Sequence, residues 1–117
     1  MEPIFSRNGQ VAAWRNNDHI YHLNGSHAAV IRDQNVYGHR GQHLGLLREG
    51  LFRDHRGGVV AFMRDALGGP IRPIPAIPPV PPIPAIPPIP AIPSIPPIPA
   101  IPSLGWAEVD WPSFVNA

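Results

Sequence analysis

The sequence predicts an all-β protein: a pseudo-four-fold ring of four β-hairpins built from 16-residue repeats, followed by an extended polyproline II stalk. Three observations carry that expectation. Glycines recur every sixteen residues at Gly9, Gly25, Gly41 and Gly57; apolar columns keep step around them; and fifteen of the eighteen prolines fall between Pro73 and Pro102. The chain of 117 residues therefore divides into a four-repeat β head (1–67), a Gly/Pro linker (68–73), an Ile-Pro-x stalk (74–103) and a Trp-containing tip (104–117).

Within each repeat a small residue follows the glycine by four places, at Ala13, Ala29, Gly45 and Ala61, and a large apolar residue comes next, at Trp14, Val30, Leu46 and Phe62. Upstream of the glycines the same register gives Ile4, Ile20, Val36 and Phe52, then Phe5, Tyr21, Tyr37 and Arg53. Strand, turn, strand, turn is the natural reading. Asn8-Gly9 and Asn24-Gly25 suit a two-residue hairpin turn whose residues need positive φ, and Gly41 and Gly57 retain the more important residue of the pair. Glycine at this spacing would fall inside any helix of useful length, whereas the β-branched and aromatic flanks fit a pleated surface. One short hairpin is marginal alone, so the four must pack together.

From Ile74 to Ser103 the chain runs through ten Ile-Pro-x triplets with Val80 the sole replacement for Ile, and no residue from Pro73 to Ala107 is charged. Proline at every third place excludes helix and sheet and leaves polyproline II. That conformation has three residues per turn and rises ~3.1 Å per residue, so thirty residues would span ~93 Å. Ile74, Ile77, Val80, Ile83, Ile86, Ile89, Ile92, Ile95, Ile98 and Ile101 would then line one side. A stripe of that size exceeds what soluble monomers usually expose, so a cover is expected. A head of this length is only ~30 Å across, and no glycine lies between Ile71 and Leu104 to fold the tract back, so the stripe points to self-association of stalks. A trimer of parallel stalks is preferred, with a filament in which the stalk threads past neighbouring heads as the other arrangement. At the end of the chain, Trp106, Trp111 and Phe114 favour docking, either capping a bundle or seating on a neighbour's head, and Asp110-Trp111-Pro112 suits the start of a short helix.

Charge and chemistry narrow the function by exclusion. Nine arginines against six acids give residues 1–72 a charge of +3, scattered without a stripe, so nucleic acid is not an expected partner. No basic run leads into an apolar core at the start, as a Sec signal would require, and no segment reads as a membrane-spanning helix; cytoplasm is the default location, with leaderless export left open. Six histidines sit in the head, His27 equivalent to His43 and His39 to His55, yet no carboxylate recurs beside them, so no metal and no cofactor are expected. Asp33, Glu49 and Asp65 each follow an Arg in an inter-repeat turn and read as solvated turn chemistry. With neither a phosphate-binding glycine motif nor a nucleophile beside an evident base, no catalytic residues are assigned and an enzyme is not expected.

The residues resemble the bacterial 4-fold beta flower proteins, which look like four hairpin petals followed by an Ile-Pro-rich tail. The likeness runs through Ile4-Phe5, Ile20-Tyr21-His22-Leu23-Asn24-Gly25, Gly41-Gln42-His43-Leu44-Gly45, Val60-Ala61-Phe62, Gly69-Pro70, the Ile-Pro tract and the Trp-containing end. It implies an architecture without an assigned activity. The expected function is thus a non-enzymatic structural or assembly protein that self-associates through the apolar face of its stalk. The alternative is a binding module that presents the proline tract to a protein partner with an aromatic-lined groove.

Overall fold

A computed structural model covers residues 1–117 and shows a closed antiparallel barrel of eight strands in chain order. The strands are β1 (Glu2–Ser6), β2 (Val11–Asn16), β3 (His19–Tyr21), β4 (His27–Arg32), β5 (Asn35–Tyr37), β6 (His43–Arg48), β7 (Leu51–Arg53) and β8 (Val59–Met63), and a short helix α1 (Trp111–Val115) follows the tail. β8 closes on β1 through Ile4↔Met63 and Phe5↔Phe62, so no sheet edge is left open.

The repeat columns explain the barrel. Each large residue of the first column pairs with a small one of the second: Ile4↔Ala13, Ile20↔Ala29, Val36↔Gly45 and Phe52↔Ala61. Ile4, Ile20, Val36 and Phe52 are fully buried, and a single cluster of seventeen buried residues contains them. Large against small lets four hairpins approach one centre without overfilling it. Successive residues of a strand face opposite ways, so Phe5, Tyr21, Tyr37 and Arg53 lie on the outer wall, and they too are buried.

The turns differ from expectation in type. At each repeat glycine the loop has three residues: the Ser6 N–H bonds Gln10 O, the Gly9 N–H bonds Ser6 O, and Gly9 takes φ +84° as the strands shift register. This is a three-residue loop with its glycine in the left-handed region, and the tight two-residue turns lie instead between repeats, at Asn17-Asp18, Asp33-Gln34 and Glu49-Gly50.

The extended stalk is not what forms. The Ile-Pro tract wraps around the barrel as a belt, and the whole molecule measures 37 × 36 × 21 Å. One belt amide per petal donates to the carbonyl of the repeat glycine: Ala76 to Gly9 (2.8 Å), Ala85 to Gly25 (2.9 Å), Ser94 to Gly41 (2.8 Å) and Ser103 to Gly57 (3.0 Å). Sixteen residues of barrel are thus matched to nine of belt. The tract is too long for the width of the head but matches its perimeter: a disc ~30 Å across is ~94 Å around, close to the ~93 Å that thirty polyproline residues cover. With the tract fastened at every petal, the parallel three-stalk bundle and the threaded filament lose their basis.

The belt closes a full turn at Phe62. The Arg72 guanidinium at its start lies 5.9 Å from the Phe62 ring centre, and Trp106 at its end lies 6.2 Å from the same ring. Val59 and Ala107 then fix the exit, the Val59 N–H donating to Gly105 O (3.1 Å) and the Ala107 N–H to Val59 O (2.8 Å). The chain next crosses one end of the barrel. Asp110 caps α1 by accepting from the Ser113 N–H (3.0 Å), Trp111 packs edge-on against Phe52 at 5.3 Å, and Gly45 leaves the space in which the Phe114 ring sits. Gln42 Nε2 donates to the carbonyl of Ala117 at 2.9 Å across that end.

The matched registers give a sharp test. Proline has no N–H, and none of the four donor positions carries it; Pro82, however, occupies the place in its nine-residue unit that Ala91 and Ala100 hold in theirs. Ala85→Pro is expected to lower stability by about 1–3 kcal/mol through the unpaired Gly25 carbonyl, and Ala91→Pro to change it by less than about 0.5 kcal/mol. Paired urea melts of the two variants check this, and equal losses would overturn the register argument.

Candidate functional site: an apolar rim above a series of clefts

The residues anticipated as an oligomerisation stripe form the outer rim of the disc. Ile74, Ile77, Val80, Ile83, Ile86, Ile89, Ile92, Ile95, Ile98 and Ile101 are all at least 90% exposed, and Ile71 joins them at 96%. The belt's fastening amides and several prolines, among them Pro75, Pro78 and Pro84, turn toward the barrel, which leaves the branched side chains outward. Trp106, Trp111 and Phe114 behave differently. They pack within their own chain, Trp111 and Phe114 buried at the barrel end and Trp106 half-buried beside Phe62. The repeat glycines Gly9, Gly25, Gly41 and Gly57 are the belt's anchors, and each lies so close to a belt carbonyl that a side chain would collide with it; at Gly25 an added Cβ would come 2.6 Å from Ile83 O.

Between barrel and belt lies a series of clefts related by the repeat. One is bounded by Tyr37, His39, His27 and Arg32 with Pro88 and Ile89. Shifting sixteen residues along the barrel and nine along the belt gives the next: Arg53, His55, His43 and Arg48 with Pro97 and Ile98. At the earlier petal the space is divided between this cleft, about 20 Å³, and a cavity of about 670 Å³ beside Asp18 and Asp33; at the later petal one cavity of about 690 Å³ spans the equivalents of both. The walls differ in the column Phe5, Tyr21, Tyr37, Arg53. Three aromatic rings are buried against the wall, and the fourth position holds an arginine, 8% exposed, whose Nη1 reaches to Gly57 O (2.6 Å) and Ser103 O (2.7 Å). Burial lowers the Arg53 pKa while Glu49 raises it; the guanidinium stays charged.

The histidines join neighbouring petals, a pairing that aligning like with like did not reveal. His27 bonds His19 through Nε2 (2.9 Å) and His39 through Nδ1 (2.8 Å); one repeat later His43 bonds Asn35 Oδ1 through Nε2 (2.8 Å) and His55 through Nδ1 (2.9 Å). An amide oxygen only accepts, so His43 Nε2 carries the proton, and in a neutral His43 Nδ1 accepts from His55 Nε2–H. Burial first, then His55, lowers the His43 pKa, and burial followed by His39, His19 and His22 lowers that of His27 to about 4. No three His, Cys, Asp or Glu are grouped as metal ligands.

The family whose sequence model matches, 4-fold beta flower protein, does so over residues 2–115. The chain belongs to this family. Four hairpin petals, a closed barrel and the encircling belt are the form that the beta flower takes here, and membership accords with a small structural protein. No curated protein and no solved structure matches the chain of this beta flower. No helix in it is long and apolar enough to cross a membrane.

Proposed function

We propose that this beta flower protein is a non-enzymatic structural protein that assembles with further copies of itself through the apolar rim of its Ile-Pro belt. The observation that carries the reading is the rim: ten branched aliphatics in the tract, each at least 90% exposed, follow one another around the perimeter without an intervening charge. A continuous apolar surface of this extent marks an interaction site in a soluble protein. Because the surface encircles the disc, a contact made on one side leaves the remainder free, so the rim favours open arrays over a closed trimer.

The exposure of these side chains makes the test clean. Surface substitutions usually alter stability by less than ~0.5 kcal/mol each, so Ile77→Ser, Ile86→Ser and Ile95→Ser combined should leave the melting curve nearly unchanged. Sedimentation velocity is expected to show concentration-dependent assembly of the wild-type chain and a single-chain species for the triple variant. A wild-type chain that sediments as one copy at millimolar concentration removes self-assembly as the function.

A further inference from the structure

The cover that the tail gives to one end of the barrel is incomplete. Three places after each repeat glycine the chain carries Ala12, Ala28, Leu44 and Val60. The last three are buried in the cluster that Trp111, Phe114 and Val115 complete, while Ala12 is only partly buried against it. The helix α1 lies toward the later petals, with Phe114 at Gly45 and Trp111 against Phe52. On the side of the first two petals there remains a cleft of about 710 Å³, between Asn8, Ala12 and Leu23 of the barrel and Ala107, Val109 and Trp111 of the tail.

Two exposed side chains converge on this cleft. Away from the belt and the residues that flank it, Leu23 and Val109 are the only exposed large aliphatics, at 52% and 40%, and both line the cleft. The other petals hold Arg7, His39 and His55 where the second holds Leu23, so an apolar residue at this loop position is particular to the cleft. Charged groups at its border already have partners. The Arg7 guanidinium lies 5.9 Å from the Trp106 ring centre, Glu108 is 3.8 Å from Arg56, and Asp110 accepts from the Ser113 N–H. An apolar floor with no unpaired charge around it suits an uncharged, apolar occupant. The protein itself presents one in the rim, which carries no charge from Pro73 to Ala107 and exposes a branched aliphatic at every third residue. Segments of this kind dock into apolar grooves at little ordering cost, because proline already holds them extended.

We infer that the cleft beside Leu23 and Val109 receives an Ile-Pro segment from the rim of a second copy, so that discs assemble edge into face. The inference rests on the rim-driven assembly proposed above and supplies the surface that the rim meets. Each belt is fastened to its own barrel by four amides, so the segment that enters comes from another molecule. Rim and cleft are different surfaces, which makes the contact heterologous: a copy whose rim is docked still offers its cleft, and growth continues. Leu23→His copies the residue of the third and fourth petals, and combined with Val109→Ser it removes the apolar lip of the cleft while leaving the rim intact; a thermal melt matching the wild type checks the fold. In sedimentation velocity this variant should need about tenfold more protein than the wild type to assemble, the loss expected when two aliphatic contacts go. Mixed with the Ile77→Ser, Ile86→Ser and Ile95→Ser variant, whose cleft is intact, it should form mixed complexes that stop growing, since neither chain carries both surfaces. Assembly of the cleft variant at wild-type concentrations would mean that rim meets rim, which overturns this inference and leaves the rim reading standing. Absence of mixed complexes overturns it as well, and a wild-type chain that stays single removes both.

Discussion

A chain ending at Gly69 is expected to lose its cooperative unfolding transition. The barrel has two walls to cover, and the tail covers both. Trp111, Phe114 and Val115 complete the buried cluster at the barrel end, where Trp111 meets Phe52. At ~1.5–3 kcal/mol for each buried large side chain, removing these three alone costs ~5–9 kcal/mol, against a total stability of ~5–15 kcal/mol for a domain. The outer wall suffers as well, because Tyr37 would lose the belt that lies across its cleft and Phe62 would lose both Arg72 and Trp106. The strands pair as before in principle, yet three-residue strands such as β3, β5 and β7 hold their register only when both faces are packed. Thermal circular dichroism of the shortened chain should show a broad, non-cooperative change with binding of a hydrophobic dye, and adding the peptide 70–117 should restore a sharp transition. A shortened chain that melts cooperatively within a few degrees of the full one would mean that the belt is an ornament on an independent barrel.

This dependence bears on what could be read without coordinates. The 16-residue period was legible because it is carried by side-chain size, and size decides which residues meet inside a barrel: Ile4 beside Ala13, Phe52 beside Ala61. The belt's nine-residue period was present too, in the non-proline residues Ala76, Ala85, Ser94 and Ser103, but the stronger three-residue recurrence of Ile-Pro hides it. Only the partners of those amides, the four repeat glycines, make the longer period meaningful. A shared side for the aliphatics followed from the three-residue screw; that this side turns away from the barrel did not, since polyproline II has no internal hydrogen bonds to declare its mate. Arg53 interrupts an otherwise aromatic column, while its reach to Gly57 and Ser103 shows only in the fold, the second partner lying fifty residues away.

Mild acid should loosen the molecule through the histidines. In the unfolded chain His27 and His43 titrate near 6.5; in the fold both are held lower, His27 at about 4. Between those values the unfolded state binds more protons than the native one, so stability is full above pH 6.5, declines as pH falls, and levels off below about 4. The groups facing His27 are His19, His39, His22 and the edge of Tyr21, none of them a carboxylate to welcome the proton; His43 faces His55, Asn35 and Tyr37. The full shift at His27 would be worth ~3 kcal/mol, and about half of that is expected because the ring is close to solvent. Asp110, held below the usual carboxylate range by hydrogen bonds from Ser113, loses its contribution only at lower pH, which leaves the window from 6.5 to 4.5 to the histidines. Valine stands at the equivalent position in the first and fourth petals, at Val11 and Val59, so His27→Val with His43→Val should fold. Denaturant melts across this window are expected to slope for the wild type and lie flat for the double variant. A flat wild-type profile, or a slope that survives both substitutions, would show that the neutral histidine chains do not bind the petals together.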